Sequence, residues 1–242
     1  MCRLSIVYCC RLRVKLWTST SRAGSLWALA AAPRLSTPSS ASVSSWKRRS
    51  CQTSSVSPRL SRPNRCLIAQ HKLTLTSLDE SPVIDVTIDG ADEVDLQLNC
   101  IKGGGGCQLQ EKVVAFAAKK FVIVADYRKE SKKLGEHWTQ GVPVEVVPMA
   151  YVPLMRYLEE KFGGKPVLRM GKCKAGPVVT DNGNFVLDVN FGEIDDPKTL
   201  CDSLKLVPGV VEVGLFCSMA EKAFFGQTNG SVTTRVAPKS AQ

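Results

Sequence analysis

The sequence predicts an α/β protein: a Rossmann-like, mostly parallel sheet domain carrying a second, smaller ferredoxin-like α+β domain. Three observations predict it. An apolar alternating run ends in Asp89-Gly90-Ala91-Asp92-Glu93, and Lys102 then precedes four glycines, Gly103 to Gly106, before a helical pattern that opens with Glu111-Lys112. Residues 83–88, 108–119 and 121–125 read as strand, helix and strand, the order of a parallel sheet. Residues 142–213 run β-α-β-β-α-β around an Asn-Gly hairpin signal, the order of a split βαβ unit.

Residues 1–66 read differently. They hold 12 Lys/Arg and no Asp or Glu, so the net charge of +10 belongs to this segment and the remainder is nearly neutral. That placement argues against nucleic acid as the partner of the folded part. The segment is rich in Ser, Arg, Cys and Trp and shows no sustained period of 2 or 3.6. Three explanations stand: an organellar transit peptide, a disordered basic arm, or out-of-frame translation. The genetic code speaks to the third. Starting each codon one base early, Leu26-Trp27-Ala28-Leu29-Ala30-Ala31-Ala32-Pro33 permits Leu-Gly-Ile-Gly-Ser-Gly-Ser-Thr. The same shift over residues 57–63 permits Pro-Thr-Ser-Phe-Gln-Ala. The first would be a phosphate-binding turn of the kind that opens a helix.

Hydrophobic residues make up 44% of the chain, enough for a core, yet no apolar run reaches the roughly 20 residues of a membrane span. Ten cysteines fall five within residues 1–66 and five beyond, without a CxxC pair, so no metal-ligand spacing appears. Cys100, Cys107, Cys173, Cys201 and Cys217 sit among apolar residues and read as small core side chains of a reducing compartment. The expected location is cytoplasmic, or an organelle if residues 1–66 are a transit peptide.

In chain order, residues 67–71 look like a helix remnant, with His71 on the surface, and residues 73–78 like a short strand and turn. The 83–88 strand ends at Asp89-Gly90, which puts carboxylates at a strand's carboxyl end, where open α/β sheets place ligands. Gly103 to Gly106 can bring backbone amides close to an oxyanion. The helix after them has Val113, Val114, Phe116 and Ala117 as its apolar positions. Residues 121–125 form the next buried strand, ended by Asp126 and a basic loop, 127–133. In the second unit, residues 144–147, 167–170, 178–180, 185–190 and 210–213 read as strands. Residues 151–162 read as a helix stopped by Gly163-Gly164, and 197–204 as one opened by proline. A last hairpin or edge pair surrounds Asn229-Gly230. The expected division is 1–66 as an aberrant segment, 67–141 with 214–235 as the catalytic domain, and 142–213 as the smaller domain. Paired carboxyls, a cation, amides and a base are the parts needed to move protons on a phosphorylated small molecule. Taken alone, Asp89 and Asp92 also fit turn and cap positions, and Glu111 a first-turn partner of the helix dipole.

These motifs resemble ribose-5-phosphate isomerase of the A type. Further matches are Val144-Glu145-Val146-Val147-Pro148-Met149-Ala150, Leu168-Arg169-Met170, Thr180-Asp181-Asn182-Gly183-Asn184-Phe185, Pro208-Gly209-Val210-Val211 and Gly214-Leu215-Phe216, so the similarity covers about residues 67–235. The resemblance implies interconversion of ribose 5-phosphate and ribulose 5-phosphate through an enediolate, without a metal or other cofactor, by a homodimer. It implies Glu111 as the base between C1 and C2, and Asp89 and Asp92 as the handlers of hydroxyl protons and ring opening. Lys102 would stabilise the enediolate. Gly90, Ala91, Gly103, Gly104 and Gly105 would line the sugar, and Lys129 would take its phosphate. The family's Gly-Ser-Gly-Ser-Thr turn is absent from the chain as written, so the first strand and phosphate loop are expected to be lost. A chain so altered is expected to be poorly soluble or a weak isomerase, or to survive as a non-catalytic partner. A related sugar-phosphate or acyl-CoA enzyme is disfavoured because both motif clusters match the isomerase together.

Overall fold

The computed structural model describes residues 14–19, 26–31, 52–54, 74–172 and 175–238. The helix remnant read at 67–71, the second permitted peptide at 57–63, Cys173 and most of the segment 1–66 lie outside the described residues. Within the early part, β1 (Val14–Ser19) pairs antiparallel with β2 (Leu26–Ala31), and β3 (Gln52–Ser54) pairs parallel with β4 (Thr74–Thr76).

A four-stranded sheet holds the Asp89 motif. In it β5 (Thr87–Asp89) and β8 (Phe121–Asp126) run parallel, as do β8 and β14 (Ala220–Gly226), while β15 (Val232–Val236) closes the far side antiparallel. Its order is β15-β14-β8-β5, so β5 is the edge strand among the described residues. The ladder of β5 is shorter than the sequence suggests. Only residues 87–89 pair continuously, Ile84 makes a lone bridge to Ala118, and Val83 is 63% exposed. The loop Asn229-Gly230 turns β14 into β15 as its residues require, with Gly230 at φ 81°.

Helix α1 (Gln108–Ala117) joins the carboxylate motif to β8. Its buried face is Gln108, Val114 and Ala115. This corrects the expected apolar stripe: Phe116 is 86% and Val113 46% exposed. Val114 packs on Ile84 and Ala115 on the core of the parallel sheet, and with 100° per residue positions 113 and 116 fall on the opposite side.

The second sheet is antiparallel, in the order β10-β11-β9-β12. Its strands are β9 (Val142–Val146), β10 (Lys165–Leu168), β11 (Phe185–Asn190) and β12 (Val210–Val213). Helix α2 (Tyr151–Phe162) connects β9 to β10, and α3 (Pro197–Lys205) connects β11 to β12. Gly163 ends α2 in the left-handed conformation, φ 64°, its N–H bonding to the carbonyls of Leu158 and Glu159. Asp196 caps α3 through the Thr199 N–H, with Pro197 at the first turn. The hairpin at Thr180 to Asn184 forms as its Asn-Gly pair requires, but residues 178–180 contribute one isolated bridge, Val179 to Phe185, rather than a strand. The main core packs on this sheet: Val144, Val146, Leu158, Leu187, Val189, Leu204 and Val213 are wholly or almost wholly buried.

A small third sheet, β13-β7-β6, joins the two. It comprises β6 (Glu93–Val94), β7 (Cys100–Ile101) and β13 (Leu215–Phe216). Ile101 and Leu215 belong to the core of the antiparallel sheet, and Cys100 and Phe216 to that of the parallel one. Gly214 makes this junction possible. Any Cβ there would lie 2.3 Å from the Lys102 carbonyl oxygen, so only glycine permits the approach. Of the described late cysteines, Cys100 and Cys201 are buried and Cys107 and Cys217 partly so.

Candidate active site

The site is assembled at the carboxyl end of β5, where Asp89 leaves the sheet. Immediately after β7, the chain is held by Lys102 N–H donating to Gly214 O at 2.8 Å, which fixes where the lysine side chain starts. Its ammonium is 2.8 Å from Asp89 Oδ2, 2.5 Å from Gly90 O and 3.1 Å from Glu111 Oε2. Lys102 is 2% and Asp89 7% exposed, while the Glu111 side chain keeps 19% exposure. Burial removes water from the Lys102–Asp89 pair, so the attraction is strong and both charges depend on it. The Phe216 ring lies 5.3 Å from the ammonium and closes its remaining side.

Glu111 reaches the cluster from the first turn of α1. Its neighbour Lys112 bonds outward, 2.9 Å to Glu212 Oε1 and 2.5 Å to Val213 O, and so locks the helix start onto β12. Burial resists ionisation of Glu212, but the Lys112 ammonium, the Val213 N–H and Lys205 together outweigh it and hold the carboxyl below the usual range.

The turn Gly103 to Gly106 is tight, with Gly106 N–H donating to Gly103 O at 2.9 Å and φ of 102° at Gly103 and 83° at Gly106. Gly104 N–H donates to Asp92 Oδ2 at 2.7 Å, and the Asp92 backbone N–H to Ile101 O at 2.8 Å. The Asp92 carboxylate therefore faces the glycine turn, while Asp89 faces Lys102. Gly90 donates its N–H to Asp89 Oδ1 at 2.8 Å, and Gly90 and Ala91 are half-buried between the two aspartates. Gly105 is exposed at the tip of the turn, with nothing near the place of a Cβ.

Lys129 stands apart from these ion pairs. It ends a short 3-10 turn beyond β8, at the same carboxyl end of the parallel strands as Asp89, with its ammonium 5.2 Å from the centre of the Trp138 ring. Asp126 begins that turn, and its hydrogen bonds from Arg128 hold its carboxyl below the usual range. Glu93, fully buried, accepts from Gly135 N–H at 2.6 Å and His137 N–H at 2.7 Å, and so anchors the loop bearing Trp138.

Three supporting residues lie in the sequence motifs without a role that the motifs assign. They are Glu93, Arg169 and Glu145, whose Oε1 accepts from Thr180, Asn182 and Asn184. The available signal was the charge itself: a glutamate within the buried strand at 144–147 requires donors, and the Thr and Asn residues of the hairpin supply them. Among the described residues no group of three or more His, Cys, Asp or Glu side chains is arranged to hold a metal.

The sequence profile of ribose 5-phosphate isomerase A (phosphoriboisomerase A) matches residues 60–230, well over half of the chain. The chain belongs to this family. The ribose-5-phosphate isomerase of Homo sapiens is 55% identical over 174 residues, which are 72% of this chain and 56% of the human protein. That of Dictyostelium discoideum is 57% identical over 167 residues, 68% of this chain and 72% of the relative. Among solved family structures, the ribose 5-phosphate isomerase A of Methanocaldococcus jannaschii superposes with a TM-score of 0.65 at 44% identity, covering 72% of this chain and 75% of that one. A D-ribose-5-phosphate isomerase in complex with phospho-erythronic acid superposes with a TM-score of 0.68 at 40% identity, over 73% of this chain and 75% of that one. The family fold of mixed α/β type with a parallel sheet is thus the fold of this chain. The chain nevertheless spans little more than half the length of the human relative.

Proposed function

We propose that this chain is an aldose–ketose isomerase that interconverts ribose 5-phosphate and ribulose 5-phosphate through an enediolate. One observation carries the reading: a buried ammonium, Lys102, lies within 3.1 Å of two carboxylates from different elements, Asp89 and Glu111. Glu111, the more exposed of the two, takes the proton from C2 of the open-chain aldose and returns it to C1. A positioned carboxylate acting this way contributes about 10²–10⁴-fold. Lys102 faces the oxygen on which negative charge develops, a preorganised electrostatic role. Asp89 and Asp92 relay hydroxyl protons and open the ring. The turn Gly103, Gly104 and Gly105, with Gly90 and Ala91, forms the wall along the sugar, and Lys129 receives the phosphate. The phospho-erythronic acid bound by a related structure is a phosphorylated sugar acid, which supports a sugar phosphate as the substrate class.

The finer architecture belongs to the same proposal. The parallel sheet is Rossmann-like, residues 67–141 and 214–235 form the catalytic domain, and the 142–213 unit is ferredoxin-like; its strand order β10-β11-β9-β12 supports the last point. The assembly is a cytoplasmic homodimer.

A second reading has its own support. The edge position of β5 and the family match beginning at residue 60 are what a chain lacking the first strand and phosphate turn would give. In that reading the polypeptide as written is an impaired isomerase or a non-catalytic partner. Turnover of ribose 5-phosphate by the purified 242-residue chain, beside its Glu111→Gln variant, separates the two.

A further inference from the structure

Arg169 follows β10 and belongs to the antiparallel sheet, yet it reaches the glycine turn. Its Nε and Nη2 donate to the two carboxylate oxygens of Asp188 at 2.8 and 2.5 Å, a bidentate pair that fixes the guanidinium plane. The remaining corner, Nη1, donates to Gly103 O at 2.9 Å, with Gly104 O at 3.4 Å. The Arg169 backbone is itself pinned, its N–H donating to Val186 O and its carbonyl accepting from Val178 N–H.

The carbonyl of Gly103 and the N–H of Gly104 belong to one peptide group, which is planar and trans, so they point in opposite directions. Arg169 holds the carbonyl on one side. On the other, the N–H meets Asp92 Oδ2 at 2.7 Å. Glycine at 103 and 104 places no Cβ to restrain this plane, so its orientation depends on hydrogen bonds. From within the turn the Gly106 N–H holds the same carbonyl at 2.9 Å, and Arg169 is the side chain that adds a hold from outside it.

We propose that Arg169, braced by Asp188, is a positioning residue: it sets the Gly103–Gly104 peptide plane and through it the aim of the Asp92 carboxylate. The proposal rests on the isomerase reading for its catalytic consequence, but its structural half stands without it. Lysine cannot substitute, because a single ammonium cannot keep the two-oxygen grip on Asp188 and also reach Gly103 O in a fixed plane.

The test uses the full chain with Arg169→Met, Arg169→Lys and Asp188→Asn, each checked for a wild-type circular dichroism spectrum. Amide hydrogen exchange at Gly104 is followed by NMR. The expected result is faster exchange at Gly104 in all three variants. With ribose 5-phosphate, kcat falls by up to about 100-fold, the loss a misplaced group of about 1 Å can cause, while KM changes far less and lysine gives no rescue. Unchanged Gly104 exchange in a folded variant overturns the proposal, as does full activity of Arg169→Lys. If Arg169→Met does not fold, Asp188→Asn carries the same exchange readout. A wild-type chain without turnover counts against the isomerase reading alone, since Gly104 exchange still decides the role of Arg169.

Discussion

Lys102 and Asp89 face each other at 2.8 Å, both almost wholly shut off from solvent. Lys102 has a second carboxylate, Glu111, within 3.1 Å, whereas Lys102 is the cation that pairs with Asp89. Lys102→Met leaves the Asp89 carboxylate buried without its cation, which costs about 3–5 kcal/mol. The expected outcome is a large fall in the denaturant midpoint, measured by urea unfolding. The double variant Lys102→Met/Asp89→Leu should recover much of that stability while remaining inactive. A single variant as stable as the wild type would mean that the pair does not form.

Gly104 offers a cleaner probe of Asp92. A Cβ at position 104 would lie 2.8 Å from both Asp92 carboxylate oxygens. Gly104 is not in the left-handed region, so alanine is allowed by the backbone, and the displaced group is the end of a side chain. Gly104→Ala should therefore leave the melting temperature within a few degrees of wild type and lower kcat at least tenfold. Steady-state kinetics beside thermal unfolding checks both halves.

Glu212 couples α1 to β12 through Lys112 and gives the protein a pH dependence. Its carboxyl is held below the usual range, despite its burial, because Lys112, the Val213 N–H and Lys205 favour the charged form. A group whose pKa is lowered on folding stabilises the protein above its unfolded value, about 4.3 for glutamate. That contribution is lost as the pH falls through the lower, folded value. Melting temperature followed from about pH 7 to about pH 3 should thus drop more steeply for the wild type than for Glu212→Gln. Parallel curves would remove Glu212 from the acid response.

The parts of this protein legible in the sequence are those set by neighbours along the chain. The Asn182-Gly183 turn, the caps of α2 and α3, and the helix after Gly106 all follow from local residue chemistry. So does the placing of Asp89 at a strand's end. The two-residue strands β6, β7 and β13 were not legible, because they exist only through pairing with each other: Ile101 meets both Glu93 and Leu215. Periodicity has no purchase on two residues. The reach of Arg169 to Gly103 was equally hidden, since 66 residues separate them and only the juxtaposition of two sheets joins them. The apolar face of α1 departs from the sequence expectation because Val113 and Phe116 carry the composition of a core helix while the chain around them leaves them exposed.

The central claim is that Glu111 moves a proton at carbon. It is tested most directly by incubating the purified chain with ribose 5-phosphate in deuterated water and following the sugar by NMR, beside Glu111→Gln. The account predicts ribulose 5-phosphate that carries solvent deuterium at C1, with the variant slower by about 10²–10⁴-fold and still folded. A folded wild-type chain that forms no ribulose 5-phosphate would contradict it, as would a Glu111→Gln variant that turns over as fast as the wild type.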